Sequence, residues 1–195
     1  MSHVSRTAVL LAGVPSENPA LYHRVRFRVG DPAAWIALNL DGQQRTEFIV
    51  RDIEMDRARK SVRVDSIACP ADYSPSGGLS GDRGTATAQA VAECLHRANV
   101  TRVTTDRTLP YIYAWHIAQT GIEIEYSPEL GVIDRRVKDA QELEWLAEAQ
   151  RVTEDAMHGL RNCRPRYGQC PGRAAAWRLS PDQPAATQDD QPLFA

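Results

Sequence analysis

Long apolar runs are missing from this chain. The longest, Ala8 to Val14, is interrupted by Gly13 and is far too short to span a bilayer. Only Arg6 is basic ahead of it and no small-residue cleavage pattern follows, so a buried first strand is expected there rather than a secretory signal. Charge of one sign is missing too: 23 basic residues against 25 acidic ones leave a formal net charge of −2. That balance excludes a whole-protein field that would draw the chain onto nucleic acid or an anionic membrane. The four cysteines, Cys69, Cys94, Cys163 and Cys170, are scattered and form no CxxC pair. A zinc site built on paired cysteines is not expected, and the thiols read as the reduced thiols of a cytoplasmic protein.

What is present is an alternation of short apolar runs and helical patterns over 195 residues, enough for one ordinary domain with appendages. Thr7 to Ala12 reads as a strand, and Asn18-Pro19 starts a helix that runs to Arg26. Ala34 to Leu40 and Thr46 to Arg51 flank an Asp41-Gly42 turn and read as a hairpin. Asp52 to Lys60 fits a short exposed helix, and the alternating Val62 to Ala68 a half-buried strand. Asp82 or Thr85 caps a helix to Ala98 whose apolar face carries Ala88, Val91, Ala92 and Leu95. Arg102 to Thr105 is a strand, Pro110 to Gln119 a helix stopped by Gly121, and Ile122 to Tyr126 a strand. The order implies an α/β layer architecture with a mixed sheet.

A long helix follows. Asp139 is a candidate N-cap with Glu142 three residues on, and Leu143, Leu146, Ala147, Ala149, Val152 and Ala156 form a broad apolar stripe. From Asp139 to Met157 such a helix spans about 28 Å at 1.5 Å per residue. A stripe of this length has to be buried against something, because isolated helices are marginal in water.

The residues Arg135, Val137, Lys138, Asp139, Glu142, Leu143, Leu146, Ala149, Val152, Thr153 and Ala156, at the spacing they have here, resemble the linker helix of the creatinase, prolidase and Xaa-Pro aminopeptidase superfamily. In that family the helix joins a creatinase-type N-terminal domain to a "pita-bread" metallopeptidase domain. The preceding order of strands and helices resembles the N-terminal domain, with Asn18-Pro19-Ala20-Leu21-Tyr22 after the first strand. The resemblance covers about Thr7 to Met157. It departs from the family's Tyr-x-Thr-Gly-Phe turn at Tyr22-His23-Arg24-Val25-Arg26-Phe27. It implies a creatinase N-terminal-like mixed sheet flanked by helices over 7–130, a linker helix over 131–158 and a disordered or out-of-frame tail over 159–195. It also implies a domain that helps the parent enzyme to dimerise and narrows the entrance to its active site.

The family's catalysis uses two divalent metals held by two aspartates, one histidine and two glutamates, with a bridging water as nucleophile. After Met157 only His158, Asp182, Asp189 and Asp190 are available, and there is no glutamate at all. That ligand set cannot be assembled, so no catalytic and no metal-binding residue is assigned and no cofactor is expected in this chain. No substrate-binding residue is identified. From Gly159 onward the chain holds five of its twelve prolines and neither isoleucine nor valine. A native disordered tail and an out-of-frame translation after about Met157 both fit that composition, and truncation before the catalytic domain is the expectation.

Other chemistry is weakly signalled. Ser76 to Thr85 is glycine-rich and precedes a helix, but it has no lysine and lacks the Walker spacing, so a flexible loop with a helix cap is expected. His23, His96 and His116 stand singly on helices. Asp65 and Asp72 flank Cys69, yet no spacing supplies a thiol nucleophile with a base. Tyr111 to Trp115 is aromatic at helical spacing, which suits core and rim. Three functions remain open: a noncatalytic N-terminal domain of an Xaa-Pro aminopeptidase- or prolidase-like hydrolase, a free-standing peptide- or protein-binding module, and a small enzyme using the glycine-rich loop. The partners implied are a second copy of the chain or a missing catalytic domain, with no nucleic acid and no membrane.

Overall fold

In a computed structural model that describes residues 6–162, the strand β1 (Thr7–Gly13) lies inside a six-stranded sheet. The sheet order is β4-β3-β2-β1-β5-β6, with β2 at Ala33–Leu40, β3 at Gln43–Ile49, β4 at Ser66–Ala68, β5 at Arg102–Thr105 and β6 at Glu123–Tyr126. The pairs β1–β2 and β2–β3 are antiparallel; β1–β5, β5–β6 and β3–β4 are parallel. The sheet is therefore mixed, as the sequence implied.

The central strands are apolar on both faces because helices cover both. Leu10, Ala12, Ile36, Leu38 and Ile49 face α3 (Arg83–Arg97) and α4 (Tyr111–Gln119), which contribute Ala88, Val91, Leu95, Tyr113 and Ile117. The alternate residues Leu11, Trp35, Ala37 and Phe48 face α1 (Pro19–Val25) and α2 (Met55–Ser61), which contribute Leu21, Val25 and Ala58. Each fully buried leucine or phenylalanine of these two layers is worth about 1.5–3 kcal/mol. Period-two alternation thus became two cores rather than one apolar and one wet face.

Local chemistry sets the ends. Asp41 and Gly42 both have positive φ, 55° and 88°, as a two-residue type I′ hairpin requires, and Leu40 pairs directly with Gln43. Strand β3 consequently begins three residues before the expected Thr46 and stops at Ile49. Asp82, not Thr85, caps α3: its carboxylate accepts the Thr85 amide at 2.8 Å. The expected helix over Asp52 to Lys60 is a 3-10 turn (Asp52–Glu54) running into α2.

The expected strand from Val62 is a correction. Only Ser66–Ala68 pairs, because the Val62 amide closes α2 on the Ala58 carbonyl and Asp65 is drawn onto the Thr46 amide and hydroxyl, both at 2.7 Å. Two short elements were not anticipated, a 3-10 turn at Pro70–Tyr73 and the helix α5 at Ile133–Arg136.

The chain divides into two compact units, one ending at Asp139 and one starting at Ala140. The second unit carries α6 (Ala140–Asn162), which at 1.5 Å per residue is about 35 Å long and outruns the expected end at Met157. The sequence readings on the tail beyond residue 162, including Cys163, Cys170, Asp182, Asp189 and Asp190, lie outside the described residues. No helix among the described residues is long and apolar enough to cross a membrane.

Candidate functional site

Strands β1 and β5 are parallel neighbours, and the chain leaves their carboxyl ends toward opposite faces: β1 leads to α1 on one face, β5 to α4 on the other. In open α/β sheets this divergence opens a crevice where ligands bind. Here it holds a cavity of about 360 Å³ lined by residues that include Gly13, Glu17, Asn18, Pro32, Thr108, Pro110 and Tyr113.

Asn18 builds the crevice wall. It is buried and spends every side-chain bond: Oδ1 accepts the Ala20 and Leu21 amides at 3.0 and 3.1 Å, and Nδ2 donates to the Ala12 carbonyl at 3.1 Å and the Thr108 hydroxyl at 2.8 Å. One residue therefore caps α1 and ties the ends of β1 and β5 together. Thr108 in turn donates to the buried Asp106 carboxylate. Gly13 has φ +138°, and a Cβ there would stand 3.3 Å from Asn18 Nδ2, so glycine suits both the backbone and the close approach. Tyr113 is 2% exposed and its hydroxyl has no hydrogen-bond partner; burial pushes its pKa up. Asn18 carried a sequence signal as a helix cap, whereas nothing in the sequence marked the unpartnered hydroxyl.

A second polar cluster was not foreseen. Glu47 is 2% exposed within β3, and the Tyr73 hydroxyl donates to its carboxylate. Burial first, then the Glu47 contact, pushes the Tyr73 phenol up, and burial with the Glu47 charge pushes the Cys94 thiol up to about 12. Arg97 stacks over the Tyr73 ring at 5.6 Å and donates to the Asp72 and Ser74 carbonyls, which pins the Pro70–Tyr73 turn over the carboxylate. Glu47 has the same strand parity as Ile49, the only hint the sequence offered.

The sequence candidates are not brought together. Asp72 accepts the Cys69 amide at 2.8 Å and Asp65 is occupied with Thr46, which holds the Asp65 carboxyl below its usual range; both carboxylates brace turns. In the glycine-rich loop the Asp82 carboxylate already occupies the α3 N-terminus and Ser80 donates its amide to Gln89, so no phosphate cradle is formed. His96 is exposed beside Glu93, and His116 packs edge-on against Trp115 with burial lowering its basicity. His23 lies on α1, and His158 is exposed on α6. Of the aromatic run, Tyr113 is core while Tyr111 and Trp115 are exposed. Phe27 closes the departing segment after α1 by packing edge-on to Phe48 at 6.0 Å. Among the described residues no three His, Cys, Asp or Glu side chains come together to hold a metal ion.

On α6, Leu143, Leu146, Val152 and Met157 are about half exposed, and so is Trp145, which the sequence reading passed over. Trp145, Ala149, Val152 and Ala156 follow i, i+4, i+7, i+11 spacing, a narrow seam that Leu146 widens. The Arg151 pairs with Glu148 and Asp155, at 2.7 and 3.1 Å, mark the polar side of the helix.

No protein-family model matches the chain, and no curated protein matches it by sequence. Solved structures do match. The Xaa-Pro dipeptidase from Bacillus anthracis superposes with a TM-score of 0.58 at 19% identity, over 81% of this chain and 39% of that one. The prolidase from Pyrococcus furiosus gives 0.51 at 13% identity, over 80% of this chain and 38% of that one. A Creatine_N superfamily domain of a dipeptidase from Streptococcus thermophilus matches over 68% of this chain and 87% of that one, at 10% identity and a TM-score of 0.41. The chain thus spans less than two-fifths of the length of the Xaa-Pro dipeptidase and of the prolidase. The described residues thus have a mixed α/β fold shared with the Xaa-Pro dipeptidase and the prolidase, in line with the order of strands and helices read from the sequence.

Proposed function

We propose that this chain serves as the noncatalytic N-terminal domain of an Xaa-Pro aminopeptidase- or prolidase-like metallopeptidase of the cytoplasm, helping that enzyme to dimerise and narrowing the way to its active site. The observation that carries this reading is a fold shared with two such enzymes followed by a long helix whose apolar seam is exposed. In this reading the two-metal hydrolytic centre is supplied by a separate catalytic domain. The seam of α6 is what such a domain, or the same helix of a second copy, would cover.

Burying Leu143 and Leu146 alone is worth up to about 3–6 kcal/mol, roughly two to four orders of magnitude in a dimer dissociation constant. Part of that is lost to the cost of association. Sedimentation velocity over a wide concentration range tests the point. Association that weakens by at least tenfold in the Leu143→Glu, Leu146→Glu double variant supports the reading. A clean monomer at high concentration, unchanged by the substitutions, refutes self-association through this helix.

A further inference from the structure

Strands β3 and β4 are also parallel neighbours, with Ile49 opposite Ala68 at their carboxyl ends. Their connections leave toward opposite faces: β3 leads into α2 on the Phe48 face, and β4 leads through the Pro70–Tyr73 turn into α3 on the Leu10 face. The rule that opens the β1–β5 crevice therefore applies here as well. A cavity of about 240 Å³ is lined by Arg51 and Asp52, which follow β3, and by Cys69, Pro70 and Ala71, which follow β4. We propose that this second crevice binds a small aliphatic acid through its carboxylate.

Its polar side is a pair of guanidiniums. Asp31, whose side chain is 18% exposed, accepts Arg51 Nη1 at 3.0 Å on one oxygen and Arg83 Nη1 at 3.1 Å on the other. One carboxylate thus gathers two like charges, and both arginines line the cavity. Among the described residues Nη1 is the only atom of either guanidinium with a protein partner, so the remaining N–H groups of both forks are unspent. Asp31 neutralises one of the two charges and leaves the other, which a planar monoanion matches in both charge and fork geometry. A dianion fits less well, because Asp52 is exposed in the same lining and the Asp82 carboxylate sits at the neighbouring start of α3. The Ser80 hydroxyl, also in the lining, accepts the Asp82 amide at 3.1 Å and keeps a proton to donate. Pro70, Ala71 and Ala86 supply an apolar wall for a short hydrocarbon chain, and the volume suits a ligand smaller than a drug-sized molecule.

The test is titration of the isotope-labelled full chain with butyrate, followed by amide resonances, alongside butyramide and inorganic phosphate. The expected result is saturable shifts centred on residues 51–52, 69–71 and 80–87. Butyramide, which keeps the shape and loses the charge, should bind at least tenfold more weakly, and phosphate more weakly than butyrate. Cys69 gives a second readout: its half-buried thiol lines the cavity, so bound butyrate should slow its alkylation by iodoacetamide. Arg83→Gln, at an exposed position, should weaken butyrate about tenfold or more, and Arg83→Lys roughly three- to tenfold, since lysine keeps the charge and loses the fork. Asp52→Asn should tighten butyrate about two- to fivefold by removing like charge from the lining, a gain that no structural role of Asp52 would give. No saturable shift with butyrate up to hundreds of millimolar overturns the proposal. So does butyramide or phosphate binding as well as butyrate; the phosphate result would mean that negative charge alone is read. Unchanged affinity in Arg83→Gln, or saturating butyrate that leaves Cys69 alkylation unaffected, also overturns it.

Discussion

Replacing Asn18 by alanine tests the claim that one buried amide joins the crevice walls. The substitution removes the α1 cap, worth about 0.5–2 kcal/mol. It also removes two bonds from Nδ2, to the Ala12 carbonyl and the Thr108 hydroxyl, each worth about 0.5–1.5 kcal/mol net. Together these give a loss of about 2–4 kcal/mol. For a chain of this size, 1 kcal/mol shifts the thermal midpoint by about 2–4 °C, so a fall of roughly 5–15 °C is expected. Asn18→Asp separates the two roles. It keeps an acceptor for the Ala20 and Leu21 amides but turns its second oxygen on the Ala12 carbonyl and on a Thr108 hydroxyl already given to Asp106. Its carboxylate would also be buried near the buried Asp106. The aspartate variant should therefore be at least as unstable as the alanine variant at pH 7, although aspartate is as good a cap as asparagine. Urea denaturation followed by circular dichroism, with Thr108→Val completing a double-mutant cycle, supplies the numbers; the coupling between the two sites should be about 0.5–1.5 kcal/mol. An alanine variant within 0.5 kcal/mol of the parent, or an aspartate variant as stable as the parent, refutes the reasoning.

With its thiol pushed up to about 12 by burial and the Glu47 charge, Cys94 should resist iodoacetamide at pH 8 in the folded chain and label readily in denaturant, as mapped by mass spectrometry; native labelling as fast as at half-buried Cys69 would contradict this. The Thr46 bonds hold the Asp65 carboxyl below the ordinary aspartate value of 3.8, so its contribution is present above that pH and is lost as pH falls through the lower folded value. Asp65→Asn should accordingly be less stable than the parent at neutral pH, with the gap narrowing below about pH 4, and a gap independent of pH in urea titrations would count against the assignment. The purified chain supplied with manganese, cobalt or zinc should turn over neither Xaa-Pro peptides nor creatine; chelator-sensitive turnover in a contaminant-free preparation would overturn the noncatalytic reading.

Periodicity and caps made much of the fold legible. Asn18-Pro19, Asp41-Gly42 and the Asp82 cap each act within a few residues, so the chain itself states where α1, the β2–β3 hairpin and α3 begin. The spacing of Leu143, Leu146, Ala149 and Val152 likewise announced a helix with an apolar side, and the motif around it announced the family of folds. Partners distant in sequence were another matter. Whether Val62 to Asp65 continued a strand depended on Thr46 claiming the Asp65 carboxylate from nineteen positions away. Glu47 shares the parity of Ile49, but the phenol that partners its buried carboxylate comes from the Pro70–Tyr73 turn, and Asp106 and Thr108 become part of a site only because β5 lies beside β1. The crevice exists because two parallel strands send their connections to opposite faces, and the unpaired, buried Tyr113 hydroxyl is decided by packing alone. Local geometry is fixed by neighbours in sequence; the burial of a charge, the loss of a partner and the opening of a cleft are fixed by neighbours in space.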